Sequence, residues 1–136
     1  MKNRFDYSPH IHGRQLIGSM FAVVAALLLS ACGVSPDNGA ATVIKKGLKS
    51  PSSYSQSSSK EVWSGKAPDG NKAYVVRVEY DAQNGFGAMI RDCQYVAFRV
   101  KGDEVMWQRN TAMAPCNLLP SENKVVEWQV KVNFES

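Results

Sequence analysis

The chain has 136 residues with a formal net charge of +4, a length that holds one domain. Three of its basic residues, Lys2, Arg4 and Arg14, and both histidines, His10 and His12, fall in the first 31 positions. Beyond that segment the net charge drops to about +2, ordinary for a soluble domain, which leaves no electrostatic case for nucleic acid as a partner. The same stretch has no histidine, so the commonest general base and metal ligand is missing from it.

Taken in chain order, Lys2, Arg4 and Arg14 give a positive start, residues 16–30 carry no charge, residues 21–29 are wholly apolar, and Ser30 and Ala31 are small. Charged, then apolar, then small is the order of a secretory signal peptide, expected here over residues 1–31. The uncharged stretch of about 15 residues is short of the roughly 20 that a membrane-spanning helix needs.

Leu29-Ser30-Ala31-Cys32 closes that stretch. These four residues resemble the lipobox of bacterial lipoprotein precursors. The resemblance implies cleavage before Cys32, a diacylglyceryl group on its thiol, and acylation of the new amino group, commonly with palmitate. It places the protein in the bacterial cell envelope, tethered to a membrane by lipid. Val34, and not Asp, follows two residues after the cysteine; by resemblance to enterobacterial sorting this favours the outer membrane, facing the periplasm. Two or more acyl chains give stable anchoring, at about 0.8 kcal/mol per buried methylene.

Residues 32–38 read as a tether, with Asp37 or Asn38 available to cap a helix. Ala40, Val43, Ile44, Gly47 and Leu48 share one helical face, and Lys45, Lys46 and Lys49 the other. Pro51 stops that helix by disfavouring the helical conformation at Ser50. The lysine face reads as a solvated face, with contact to anionic headgroups or glycan as the alternative. The serine-rich residues 50–59 read as the start of an edge strand running to Trp63, followed by a turn at Pro68-Asp69-Gly70. Residues 73–81 alternate, with Tyr74, Val76, Val78 and Tyr80 on one face and Arg77, Glu79 and Asp81 on the other. Asn84-Gly85-Phe86-Gly87 is a loop, residues 94–100 a strand, and Lys101-Gly102-Asp103 a tight turn into residues 104–109. Residues 126–134 alternate most regularly of all, and predict a final strand with Val126, Trp128, Val130, Val132 and Phe134 inward and Glu127, Gln129, Lys131 and Asn133 wet. The expected fold is therefore α+β, one N-terminal helix on an antiparallel sheet of about five strands, as a single domain over residues 39–136. Leu48-Lys49-Ser50-Pro51-Ser52-Ser53-Tyr54, with the later Tyr80-Asp81-Ala82-Gln83-Asn84-Gly85-Phe86-Gly87, is similar to a pattern in small exported bacterial proteins of unassigned function.

Candidate chemistry is sparse. Cys93 and Cys116 remain once Cys32 is lipidated, and two cysteines in an exported chain predict a disulfide. Glu79 and Asp81 could form an acid pair, but on a wet strand face they read as solvated. Ser57 and Lys60 match a Ser-x-x-Lys spacing inside a serine-rich run where chance explains it. Trp128 reads as core, while an exposed Trp63 or Trp107 would be a carbohydrate-binding candidate. No catalytic residue, metal ligand or cofactor is expected. The loop at residues 84–91 is the expected contact site for an envelope protein partner, through Phe86, Met89, Ile90 and Arg91; the competing reading has Phe86 and Ile90 folding back to cap the core. The expectation is a non-enzymatic, membrane-anchored binding module or assembly subunit. The alternative is a small inhibitor or exclusion factor against an incoming enzyme or phage. An exposed apolar loop on a rigid sheet would favour the inhibitor, and a broad flat patch the subunit.

Overall fold

A computed structural model describes residues 33–135. The signal segment expected over residues 1–31, and Cys32, lie outside the described residues. The first helix, α1, is Pro36–Gly47. Ser35 caps it, its hydroxyl accepting from the Asn38 N–H at 3.3 Å, and Pro36 and Asp37 occupy the first turn where ring and carboxylate are both favoured. The helix thus begins inside the stretch expected to be tether. It also ends earlier than Pro51 requires, with Leu48 turning extended; Pro51–Ser53 forms a separate short 3-10 turn.

Five antiparallel strands follow: β1 (Ser55–Lys66), β2 (Lys72–Gln83), β3 (Met89–Lys101), β4 (Glu104–Met106) and β5 (Met113–Pro115). The order across the sheet is β1-β2-β3-β4, with β5 also on β3. The β1–β2 turn is the one that Pro68-Asp69-Gly70 predicts: Gly70 has φ +80°, and the Asp69 carboxylate accepts from the Asn71 N–H at 3.0 Å. β2 and β3 pair over their whole shared length, from Lys72 opposite Val100 to Gln83 opposite Met89.

The α+β class with a five-stranded antiparallel sheet is as expected, but the fifth strand is not the expected segment. The chain places β5 at residues 113–115, and residues 122–134 are a helix, α2 (Glu122–Phe134). The alternation that predicted a strand there is overruled by what lies opposite. Ala73, Ala97 and Ala114 make a low floor on the second face of the sheet, with depth for a helix above it. Val125, Gln129 and Asn133 recur at intervals of four and are buried on that floor. Both amides are satisfied there. The Gln129 side chain donates to the Tyr95 carbonyl at 3.3 Å, and the Asn133 side chain to the Thr111 carbonyl at 3.1 Å.

The sheet is therefore covered on both faces and has two cores. Ala40, Val43 and Ile44 of α1 pack on Val76, Val78, Val96 and Phe98. Val125 and Phe134 of α2 pack on Val75, Tyr95 and Ala97 on the other side. Each such aliphatic side chain contributes about 1.5–3 kcal/mol on full burial. In β1 the register slips between Glu61 and Trp63, inserting Val62 as a bulge, and both Val62 and Trp63 then pack on the α2 side. Trp63 stacks on Phe134 with ring centroids 5.4 Å apart. Cys93 and Cys116 are joined as a disulfide, which with the Cys116 N–H to Cys93 carbonyl bond of 3.1 Å fastens the chain leading to α2 onto β3.

Candidate functional site

The β2–β3 connection is shorter than the 84–91 loop read from sequence. It covers residues 84–88; Met89, Ile90 and Arg91 are the first residues of β3, because Gln83, Ala82 and Asp81 pair with them. The tip is internally organised by Asn84. Its side-chain oxygen accepts from the Phe86 N–H at 2.9 Å and the Ala88 N–H at 3.1 Å, and its backbone N–H donates to the Ala88 carbonyl at 2.9 Å. Gly87 closes the loop with φ +84°, a region that a side chain would disfavour. At the base, the Gln83 N–H donates to the Ser53 hydroxyl at 2.9 Å, which ties the hairpin to the 3-10 turn.

On this rigid support Phe86 is 98% exposed, Met89 55% and Ile90 48%. Phe86 does not fold back on the core. Strand pairing sends Ile90, opposite Ala82, to the α1 face and Met89, opposite Gln83, to the other, so the tip presents apolar groups on both sides. Beneath Ile90 lies a cleft of about 230 Å³ lined by Leu48, Tyr80 and Ala82, with Lys49 at its edge against Gly85. Arg91 is fixed in place: its guanidinium donates from Nε to Asp81 Oδ1 at 3.0 Å and from Nη2 to Oδ2 at 2.9 Å. That paired contact holds the Asp81 carboxyl below its usual range.

The tip is at one end of the sheet and the start of the described chain at the other. Gly33 and Val34 share a surface cleft with Gly70 and Asn71 of the β1–β2 turn and with Gly102 of the β3–β4 turn. The 12 residues of β2 separate those turns from the tip. At roughly 3.3 Å per residue this puts Phe86 on the order of 30 Å from Gly33.

The other candidates resolve individually. Glu79 and Asp81 are not poised as an acid pair, since Arg77 holds Glu79 at 2.6 Å and Arg91 holds Asp81; a general acid needs a raised pKa, and Asp81 is shifted the other way. Ser57 and Lys60 serve different partners, the serine donating to Asp81 at 3.5 Å and the lysine to Glu122 at 3.3 Å. All three tryptophans are partly buried: Trp63 under Phe134, Trp128 against the second core, and Trp107 beneath the Lys46 ammonium at 5.3 Å. Lys45 lies similarly over Tyr54, at 5.2 Å, so both lysines of α1 rest on aromatic rings. Tyr80 donates to Asp92 at 3.1 Å on the floor of the tip cleft, and burial raises its pKa well above the tyrosine range. Among the described residues no cluster of His, Cys, Asp or Glu could hold a metal, and no helix is long and apolar enough to cross a membrane.

One surface was hidden from sequence reading by the mistaken final strand. With residues 122–134 helical, Val126 and Val130 flank β1 and form a groove with Val62 and Trp63. Its signal was the Ser121-Glu122 start and the Val126/Val130 spacing of four, both of which also fit a helix.

Comparison with known protein families, with curated proteins and with solved structures finds no match for this chain.

Proposed function

We propose that this chain is a lipid-anchored envelope module that binds a protein partner through the β2–β3 hairpin tip. The carrying observation is Phe86, 98% exposed on a loop whose backbone is fastened by Asn84. Holding an aromatic in water on a pre-organised support lowers the ordering cost of docking it. The position fits a tether at Cys32. Gly33 lies at the end of the sheet opposite the tip, so on this reading a lipid on Cys32 leaves the tip free to meet a partner. Lipid on Cys32 rests on the Leu29-Ser30-Ala31-Cys32 motif; an alkyne fatty acid should label the wild type and not Cys32→Ser.

The shape of the tip favours one mode of binding. A narrow projection with Phe86 at its end and Met89 and Ile90 on its flanks enters a concave site, as a blocking protein does, whereas a broad flat patch would suit an assembly subunit. The inhibitor reading therefore stands ahead of the subunit reading. Phe86→Ala is the test. It should leave the melting temperature unchanged while weakening partner capture in an envelope crosslinking experiment; equal capture by the two proteins would end the proposal.

A further inference from the structure

We propose that the outer edge of β1 is a second docking surface, taking an extended basic and apolar peptide segment by strand addition. β1 ends the sheet order, and among the described residues no strand lies on its outer side. At 12 residues it is long for an edge strand, and its outward N–H and C=O groups offer a template for a further strand. The edge is not uniformly open. Bulges at Ser57 and Val62 break the register, leaving two regular runs of four residues, Ser58 to Glu61 and Trp63 to Lys66. Such interruptions resist open-ended association while admitting a short strand.

What distinguishes this edge from a merely uncovered one is the groove beside it. α2 packs over β3 and β2 and stops short of β1, so Val126 and Val130 face Val62 and Trp63 across a space of about 490 Å³. The Val62 bulge helps build the groove by turning two consecutive apolar side chains to the α2 side. A strand added to β1 directs every second side chain into that space. Its walls carry Glu122, Glu127 and Glu135 against Lys131 alone. Glu122 already receives Lys60 and Tyr95, which leaves two exposed carboxylates facing one ammonium. Only every second residue of such a strand enters the groove, so the fitting occupant carries both small apolar residues, over the valines, and lysine or arginine, toward Glu127 and Glu135, at those groove-facing positions. A second copy of this chain is disfavoured, because it would bring the same carboxylates face to face.

The probe is a capped nonapeptide with valine and lysine taking turns at its odd positions and threonine between them, titrated into the isotopically labelled full-length chain in detergent. Resonance shifts should be confined to β1 and the outer flank of α2, with slowed amide exchange along β1. Methylating the peptide's edge-facing backbone nitrogens should weaken binding by about tenfold or more, since it removes the ladder hydrogen bonds alone. Replacing its lysines by glutamates should weaken it comparably. Val126→Asp, in the groove wall but outside the second core, should abolish binding with the sheet resonances intact, and Phe86→Ala should leave binding unchanged, which separates this surface from the hairpin tip. The proposal is overturned if no peptide binds at millimolar concentration, if the methylated or glutamate peptide binds equally well, or if the shifts map to the hairpin.

Discussion

The Asn133 side chain donates to Gln129 Oε1 at 2.6 Å, one helical turn away, in the core beneath α2. The same amide reaches the Gln129 and Thr111 carbonyls, and its oxygen accepts from the Thr111 hydroxyl at 2.7 Å. Two buried amides thus join α2 to the chain before β5, and no buried side-chain polar atom among the described residues is left unpartnered. Asn133→Ala strips partners from this network and should lower stability by about 2–3 kcal/mol in denaturant unfolding. Paired with Thr111→Val in a double-mutant cycle, it should show a coupling of about 0.5–3 kcal/mol. A neutral Asn133→Ala would mean that residue 133 faces water, as a strand would have it.

The disulfide fastens the segment before α2 to β3 across a sequence separation of 23 residues. In the chain-entropy account, Cys93→Ala with Cys116→Ala should lower stability by about 2–4 kcal/mol. Cys93 and Cys116 of the wild type should resist alkylation until reduced. Two thiols that alkylate without reduction would contradict the bond.

Most of the first two-thirds of the fold was legible in the residues. Tyr74, Val76, Val78 and Tyr80 alternate because one face meets α1, and the turn at Pro68-Asp69-Gly70 has only one comfortable geometry. The same rule failed at residues 126–134. Val-x-Trp-x-Val-x-Val-x-Phe satisfies a period of two, yet the buried positions are Val125, Gln129, Asn133 and Phe134. Glu127 and Lys131 are exposed as expected, but Gln129 and Asn133, also counted as wet, are interior, and the alanine floor that receives them is assembled from β2, β3 and β5, distant in sequence. At the candidate site, Phe86 could be named but not placed. Whether it capped the core depended on the Asn84 hydrogen bonds and on α1 stopping at Gly47, which lets Leu48 and Lys49 close that end of the core instead.

Arg91 depresses the Asp81 carboxyl first by hydrogen bonding and also by its charge. With the folded value below the ordinary 3.8, the pair's contribution is complete above that pH and is lost as pH falls through the folded value. In Arg91→Ala, the Asp81 carboxyl carbon should titrate at higher pH than in the wild type, followed by NMR. An unchanged midpoint would show that the contact is absent in solution. Both groups are solvent-facing, so the melting temperature at neutral pH should move little.

The hairpin tip as the contact surface is tested most directly by placing a photoreactive amino acid at Phe86 in living cells, and separately at Asp103 in the β3–β4 turn at the other end of the sheet. Irradiation should give a discrete protein adduct of one mass from position 86 and none of that mass from position 103, and the adduct should fade when Met89 and Ile90 are both replaced by serine. The same adduct from both positions, or none from position 86, would contradict the account.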